Sequence, residues 1–328
     1  MFKENLTTPN TTSICTPFGE IFLKSGPRSN DGTRRLVDGH HELAVFLLAL
    51  NVCLPCLSML GNALIVLTVW AYEELQVPAN LLLVSLAVAD FLTGVFIQPI
   101  MADTFYRGIT DTFRVCSPNW QMFAELFGYI TITASVSTLV LITLDRFIAI
   151  IYSLQYVTIV THERTRLVIA LAWVFSVFFS LCAYLVSPFL PGIRLIWIFY
   201  LFSSCMFMFA LYIKIYRTAK QKSSEVTTET KYYHPDQQTK KERKGLATVS
   251  IITTSLFLSF VPFTLINALA DSMSGPVVDV LLPVFATLLL MSPSLNPFVY
   301  FMRSQRLRKY TLRLINKIGA RIKFWRND

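Results

Sequence analysis

Apolar residues gather into about seven runs, near 43–71, 78–103, 117–151, 166–187, 192–217, 245–270 and 277–301. Each is long enough for the roughly 20 residues that cross bilayer hydrocarbon. More than half of the 328 residues are apolar and only 15% are charged, so the chain is not an average soluble domain and a bilayer is its expected solvent. The expected fold is an all-α membrane protein, a seven-helix bundle whose two chain ends lie on opposite sides.

Basic residues set the expected orientation, because they count in short loops near helix ends. Lys220, Lys222, Lys240, Lys241, Arg243 and Lys244 lie between runs five and six, and Arg303, Arg306, Arg308, Lys309, Arg313 and Lys317 follow run seven. The connection after run four offers Arg194 alone, and the one after run six offers none. The C-terminus is therefore expected in the cytoplasm and the N-terminus outside. Glu73 and Glu74 in the first inner turn do not change this, since acidic residues contribute little to the rule. The net charge of +9 reads as this inner excess facing anionic lipid and acidic partners. No aqueous basic domain is left over for nucleic acid.

Residues 1–42 are expected to be an extracellular tail, 43–301 the membrane domain and 302–328 an amphipathic helix with a cytoplasmic tail. The polar stretch near 218–241 reads as a mobile loop. Leu307, Tyr310 or Thr311, Leu314 and Ile318 recur at helical spacing among basic residues, which suits a short helix lying in the inner interface. Asn5 and Asn10 begin glycosylation sequons on the outer side. Cys53, Cys56 and Cys205 are expected as small buried hydrophobes. Cys15, Cys116 and Cys182 are left nearer the oxidising side, where Cys116 is a disulfide candidate with no partner assigned.

An ionisable side chain in hydrocarbon is costly, so each one is a functional candidate. Asp90 lies midway along run two, with Asn62, Ser135 and Asn296 at matching depth if the helices run antiparallel. Such oxygens suit a hard monovalent cation, sodium in particular, or equally an interhelical hydrogen-bond cluster, and one site can be both. Asp145 and Arg146 at the inner end of run three and Glu242 at the foot of run six form a candidate charge pair that could close one state and open another. An interfacial anchor is the alternative. Pro262 and Pro297 break the helical ladder in runs six and seven.

Five signatures then fall in order in five runs: Gly61-Asn62, Ser85-Leu86-Ala87-Val88-Ala89-Asp90, Asp145-Arg146-Phe147, Phe260-Val261-Pro262-Phe263 and Asn296-Pro297-Phe298-Val299-Tyr300. Together with Trp173 in run four, they make the chain resemble rhodopsin-like (class A) G-protein-coupled receptors from Gly61 to Lys309. The resemblance implies that Arg146 engages a heterotrimeric G protein once run six moves outward. It further implies that Tyr212 and Tyr300 turn inward to support that arginine, that Glu242 closes the inactive state, and that Asp90, Ser135 and Asn296 belong to a sodium pocket. Arrestin, a receptor kinase, membrane lipid and an extracellular peptide, lipid or nucleoside are the further partners it implies. No enzyme activity and no obligatory cofactor are expected.

Departures narrow the subgroup. Phe147, Phe260 and Ser204 replace a usual tyrosine, tryptophan and proline, and Gln121 stands where run three carries its disulfide cysteine. Loss of that cysteine and of the proline, the minimal second outer loop and local wording such as Ser153-Leu154-Gln155-Tyr156 resemble the melanocortin receptors. That subgroup's acidic ligand site is not preserved, since Ile100 and Gln121 fill two of its three positions and only Glu125 remains. Gly128 stands where amine receptors place an aspartate, which disfavours a biogenic amine. Glu125, Asp103, Phe260 and Asn267 are the ligand-facing candidates beside Gly128, with Asp103 also free to snorkel to the interface. An adenosine- or lipid-like receptor is the nearer alternative. A transporter is the more distant one, but it would need inverted repeats and a continuous polar track that the runs do not supply.

Overall fold

The computed structural model describes residues 36–110, 118–186, 189–190, 192–229, 259–266 and 276–327, all of them helices and short turns. In chain order these are α1 (His41–Ala71), a 3₁₀ turn (Glu73–Leu75), α2 (Pro78–Leu92), a π turn (Thr93–Ile97) and α3 (Gln98–Thr110). There follow α4 (Pro118–Ile151), α5 (Tyr156–Ile159), α6 (His162–Val186), α7 (Gly192–Glu229), the helical residues 259–266, α8 (Pro276–Arg303) and α9 (Gln305–Asn327). Six helical rods among the described residues are long and apolar enough to cross a membrane, α2 and α3 counting as one through the π turn. The apolar run at 245–270 lies outside the described residues apart from 259–266.

The bundle is built for lipid rather than water. On α6 the buried residues are Thr165, Ser176, Ser180 and Ala183, while Leu167, Leu171, Val174 and Phe178 are exposed. Small hydroxyl-bearing residues face the neighbours and large apolar ones face out, because apolar tails compete equally well for leucine and phenylalanine while close packing and hydrogen bonds favour small polar residues inside. Trp173 Nε1 on α6 donates to Ser85 Oγ of α2 at 3.1 Å, and Ser180 Oγ donates to Thr133 Oγ1 of α4 at 3.3 Å. Thr133 also accepts from Trp197 Nε1 of α7 at 3.0 Å, so one buried hydroxyl joins three helices.

Two glycines let rods approach closely. A Cβ on Gly61 would lie 2.7 Å from Pro297 Cβ of α8, and one on Gly94 would lie 3.1 Å from Ser58 Cβ of α1. The π turn that carries Gly94 ends where the Gln98 amide donates to the Thr93 carbonyl, five residues back. Pro99 follows at once; lacking an N–H, it removes the usual α-helical donor of the Val95 carbonyl, a recognised cause of such distortions.

At the other end of α1, α9 is docked by buried Leu307, by a 3.1 Å contact between Thr311 Oγ1 and Thr68 Oγ1, and by the Tyr310 ring 4.7 Å from Tyr72. Exposed Arg306, Arg308, Lys309 and Arg313 accompany exposed Leu312, Ile315 and Ile318, the amphipathic pattern expected from sequence.

Several expectations are corrected. The expected tail boundary at residue 42 falls beside the start of α1 at His41, and Leu36 and Val37 before it are buried. Residues 218–229, expected in a mobile loop, continue α7 as helix to Glu229, because lysine, glutamine and glutamate are good helix formers. Cys53 and Cys56 lie on exposed positions of α1, not in the core, since that face of the rod meets lipid. Cys182 is free in this structure, and Cys205 is buried, as expected, and free. Cys15 and Cys116, like Asn5 and Asn10, lie outside the described residues.

Candidate functional site

Asp90 is 1% exposed near the end of α2. Its Oδ2 accepts from Asn296 Nδ2 of α8 at 2.7 Å and its Oδ1 from Ser135 Oγ of α4 at 3.2 Å. Ser58 Oγ of α1 donates to the Asp90 backbone carbonyl at 2.9 Å. The carboxylate thus ties two rods to α2, and the backbone carbonyl of the same residue ties a third, so the ionisable group is paired as its tolerance in hydrocarbon requires. Asp90 Oδ1 and Ser135 Oγ are oxygens that suit a sodium ion, but Asn296 presents its nitrogen, a donor that no cation accepts as ligand. In this arrangement each carboxylate oxygen accepts one hydrogen bond from a neighbouring rod.

Asn62, expected in the same cluster, does not touch the Asp90 side chain. It joins through Ser58, donating to the Ser58 carbonyl at 2.9 Å, and reaches across to the Pro293 carbonyl of α8 at 3.0 Å. Chemistry explains the second bond. Pro297 has no N–H to offer residue 293 four positions back, so the Pro293 carbonyl loses its intrahelical donor and the Asn62 amide supplies one. Gly61, next in sequence, leaves room for the Pro297 ring. The Gly61-Asn62 pair therefore seats the α8 proline by shape and by hydrogen bond together.

At the α9 end of the bundle, Asp145 is 4% exposed, and its Oδ1 accepts from Tyr156 OH at 2.7 Å. Arg146 Nε lies 3.5 Å from Asp145 Oδ2, an ion-pair distance too poor for a hydrogen bond. Burial, then the Asp145 charge and the hydrogen bond to it, push the Tyr156 phenol above its ordinary range, while Arg146 pulls the other way. Sequence reasoning quoted Tyr156 only as local wording and missed its contact with Asp145. A tyrosine in a short turn has no signature of its own, and only the return of α5 against α4 makes it meaningful. Glu242, the expected partner of Arg146, lies outside the described residues. Tyr300, 3% exposed on α8, has no hydrogen-bond partner for its hydroxyl among the described residues, while Tyr212 is half-buried on α7.

The ligand-facing candidates are only partly placed. Gly128 is buried on α4 and Phe260 is 1% exposed. Pro262 lies in the helical residues 259–266 beside it, and Asn267 and the side chain of Glu125 lie outside the described set. Asp103 on α3 is paired with Arg107 one turn on, at 2.7 Å. Among the described residues no group of three or more histidines, cysteines or carboxylates could hold a metal ion.

A bundle of membrane-spanning rods, a buried aspartate tied to an asparagine-proline step, and an Asp-Arg pair at one end define a class, and the comparisons agree. The description "7 transmembrane receptor (rhodopsin family)" matches residues 61–300, so the chain belongs to that family of G-protein-coupled receptors and is a receptor rather than an enzyme. Membership implies a heterotrimeric G protein and an extracellular ligand as partners. The chain is similar to trace amine-associated receptor 13c of Danio rerio, 26% identical over 79% of this chain and 82% of that one. It is similar also to trace amine-associated receptor 8c of Mus musculus, 27% identical over 67% and 71%. Adenosine receptor A2b of Canis lupus familiaris is 36% identical over a shorter stretch, 39% of this chain and 37% of that one. These relatives do not support the melanocortin subgroup read from local wording. The short motifs behind that reading are too few to outweigh similarity spread over most of the chain.

Proposed function

We propose that the chain is a plasma-membrane receptor with its N-terminus outside and its α9 end in the cytoplasm, which converts ligand binding at the outer end into exposure of Arg146 to a G protein. The observation that carries this reading is the Asp145-Arg146-Tyr156 cluster. Arg146 keeps its guanidinium near a buried carboxylate that a phenol holds in place, at the end of the bundle where basic α9 docks. Activation is then a difference in ligand affinity between a state that covers Arg146 and one that releases it. Glu242 is the residue we assign to close the covered state, and Tyr300, whose buried hydroxyl has no partner among the described residues, the one that turns to meet Arg146 on release. Pro262 and Pro297 are the bending points, with Tyr212 as a second supporting phenol. Sodium at Asp90 and Ser135 would require the Asn296 amide to turn. Arrestin and a receptor kinase are expected later partners.

The test is Arg146→Ala in cells, with receptor surface expression and nucleotide exchange on G protein measured together. Loss of exchange at unchanged surface level supports the reading, and intact exchange overturns it.

For the ligand, two observations favour a neutral or adenosine-like molecule over a simple amine. Gly128 leaves no carboxylate at the buried α4 position, and Asp103 is already neutralised by Arg107. Glu125 is the remaining candidate anchor for a cationic group, with Phe260 and Asn267 completing the wall. The relatives named for trace amines make small amines the competing class. Nucleosides, lysophospholipids, peptides and small amines, screened with cyclic nucleotide and calcium readouts, separate them.

A further inference from the structure

Outward from Asp90, away from α9, a second polar seam runs where α1, α3 and α8 meet. Asn51 and Gln98 are both 0% exposed. Asn51 Nδ2 donates to the Leu47 carbonyl at 2.9 Å and to Thr287 Oγ1 of α8 at 3.0 Å. Gln98 Nε2 donates to the Leu290 carbonyl at 2.6 Å and to Ser294 Oγ at 3.5 Å, and Ser294 Oγ donates to the Leu54 carbonyl of α1 at 3.0 Å. Thr287 and Leu290 stand three residues apart on α8, roughly 4.5 Å along its axis, so the two amides grip neighbouring steps of one rod.

The π turn puts Gln98 there. An undistorted helix would turn residue 98 about 80° away from Asp90. One residue absorbed in a π bulge leaves seven helical steps of roughly 100°, which returns Gln98 to within about 20° of the Asp90 face, two turns along.

Donors and acceptors in this seam do not balance. The amide hydrogens of Asn51 and Gln98 and the Ser294 hydroxyl proton are all spent on protein oxygens, whereas Asn51 Oδ1 and Gln98 Oε1 have no hydrogen-bond partner among the described residues. Flipping either amide does not help, because the Leu47 and Leu290 carbonyls can only accept. Pro55 and Pro293 deepen the imbalance by removing the usual helical donors of the Asn51 and Leu289 carbonyls. The two bare amide oxygens outnumber the one remaining seam hydrogen, that of the Thr287 hydroxyl that accepts from Asn51, so the seam favours an electropositive guest over an anion.

We infer that the Asn51-Gln98 seam is a binding site for a small electropositive guest, a water molecule offering its hydrogens or a monovalent cation, separate from the Asp90 cluster. The guest joins α1, α3 and α8, and so stabilises their packed arrangement. Uncharged carbonyl-type oxygens suit either source.

The experiment uses the purified full chain in lipid nanodiscs and its Asp90→Asn variant, which removes any cation held by that carboxylate. Density maps that resolve water are obtained in sodium chloride and in choline chloride at equal ionic strength, with unfolding midpoints measured in both. Density within hydrogen-bond reach of Gln98 Oε1 in both salts, with equal midpoints, supports the site with water as guest. Density in sodium alone, with a midpoint rise of about 2 °C that persists in Asp90→Asn and disappears on adding Gln98→Leu or Asn51→Leu, supports it with the cation as guest. No density in either salt, or both amide oxygens paired with protein donors, overturns it. The signalling reading is untouched by that failure, because Arg146→Ala tests it separately.

Discussion

Asn62 of α1 holds the carbonyl of Pro293 on α8 at 3.0 Å, the acceptor that Pro297 leaves without its helical partner. The proline break in the hydrogen-bond ladder of α8 is therefore not a loose joint. Its freed backbone group is anchored on a neighbouring rod.

Asn62→Leu is expected to lower stability by about 1–3 kcal/mol, because it strands a buried carbonyl and removes the bond to Ser58 as well. The unfolding midpoint of purified receptor checks this. A midpoint equal to wild type would mean that the Pro293 carbonyl finds another donor.

Gly61→Val should be worse than Gly61→Ala, since even the first added carbon meets Pro297 at 2.7 Å and must push α1 and α8 apart. Overpacking of this kind is typically worth about 1–3 kcal/mol. Surface expression and midpoint, read across Gly, Ala and Val, should fall in that order.

Tyr156→Phe removes the hydrogen bond to Asp145 and should cost about 1 kcal/mol at neutral pH. The phenol is held protonated above its ordinary value near 10, so its stabilising contribution is complete below that pH and is lost as pH climbs past it. Wild type and Tyr156→Phe should therefore converge in midpoint in alkaline buffer, and a constant gap would deny the linkage. With Asp145 freed from the phenol, nucleotide exchange without ligand should also change, which a basal exchange assay reads.

A double-mutant cycle of Asp90→Asn and Asn296→Leu should show coupling of about 0.5–3 kcal/mol, since the two side chains share a 2.7 Å bond. Additive effects would place Asn296 outside the Asp90 network.

The Asp90 cluster was legible in the sequence because a carboxylate in an apolar run is conspicuous, and its partners followed from counting helix depth. Asn51 and Gln98 passed unnoticed for the complementary reason. Neutral amides hardly disturb an apolar run, and the phase of Gln98 depends on a π turn that periodicity at 3.6 does not foresee. The lipid-facing positions of Cys53 and Cys56 escaped for another cause: in a membrane both faces of a rod are apolar, so hydrophobicity cannot say which one is inside. The Asp145-Arg146 step was read as one side of a charge pair with Glu242, which lies outside the described residues, and the turn that brings Tyr156 back onto Asp145 is a tertiary event that the sequence does not announce.

Between α8 and α9 a single residue, Ser304, leaves the helical path, and its hydroxyl accepts from the Leu307 amide at 3.2 Å to start the next rod. Since α9 is clamped to the foot of α1, a tilt of α8 about Pro297 cannot carry the tail along with it. Any lean of α8 would therefore have to be taken up at Ser304, where the bonds from Ser304 N to the Tyr300 carbonyl and from Arg308 N to the Ser304 carbonyl are the ones that must give.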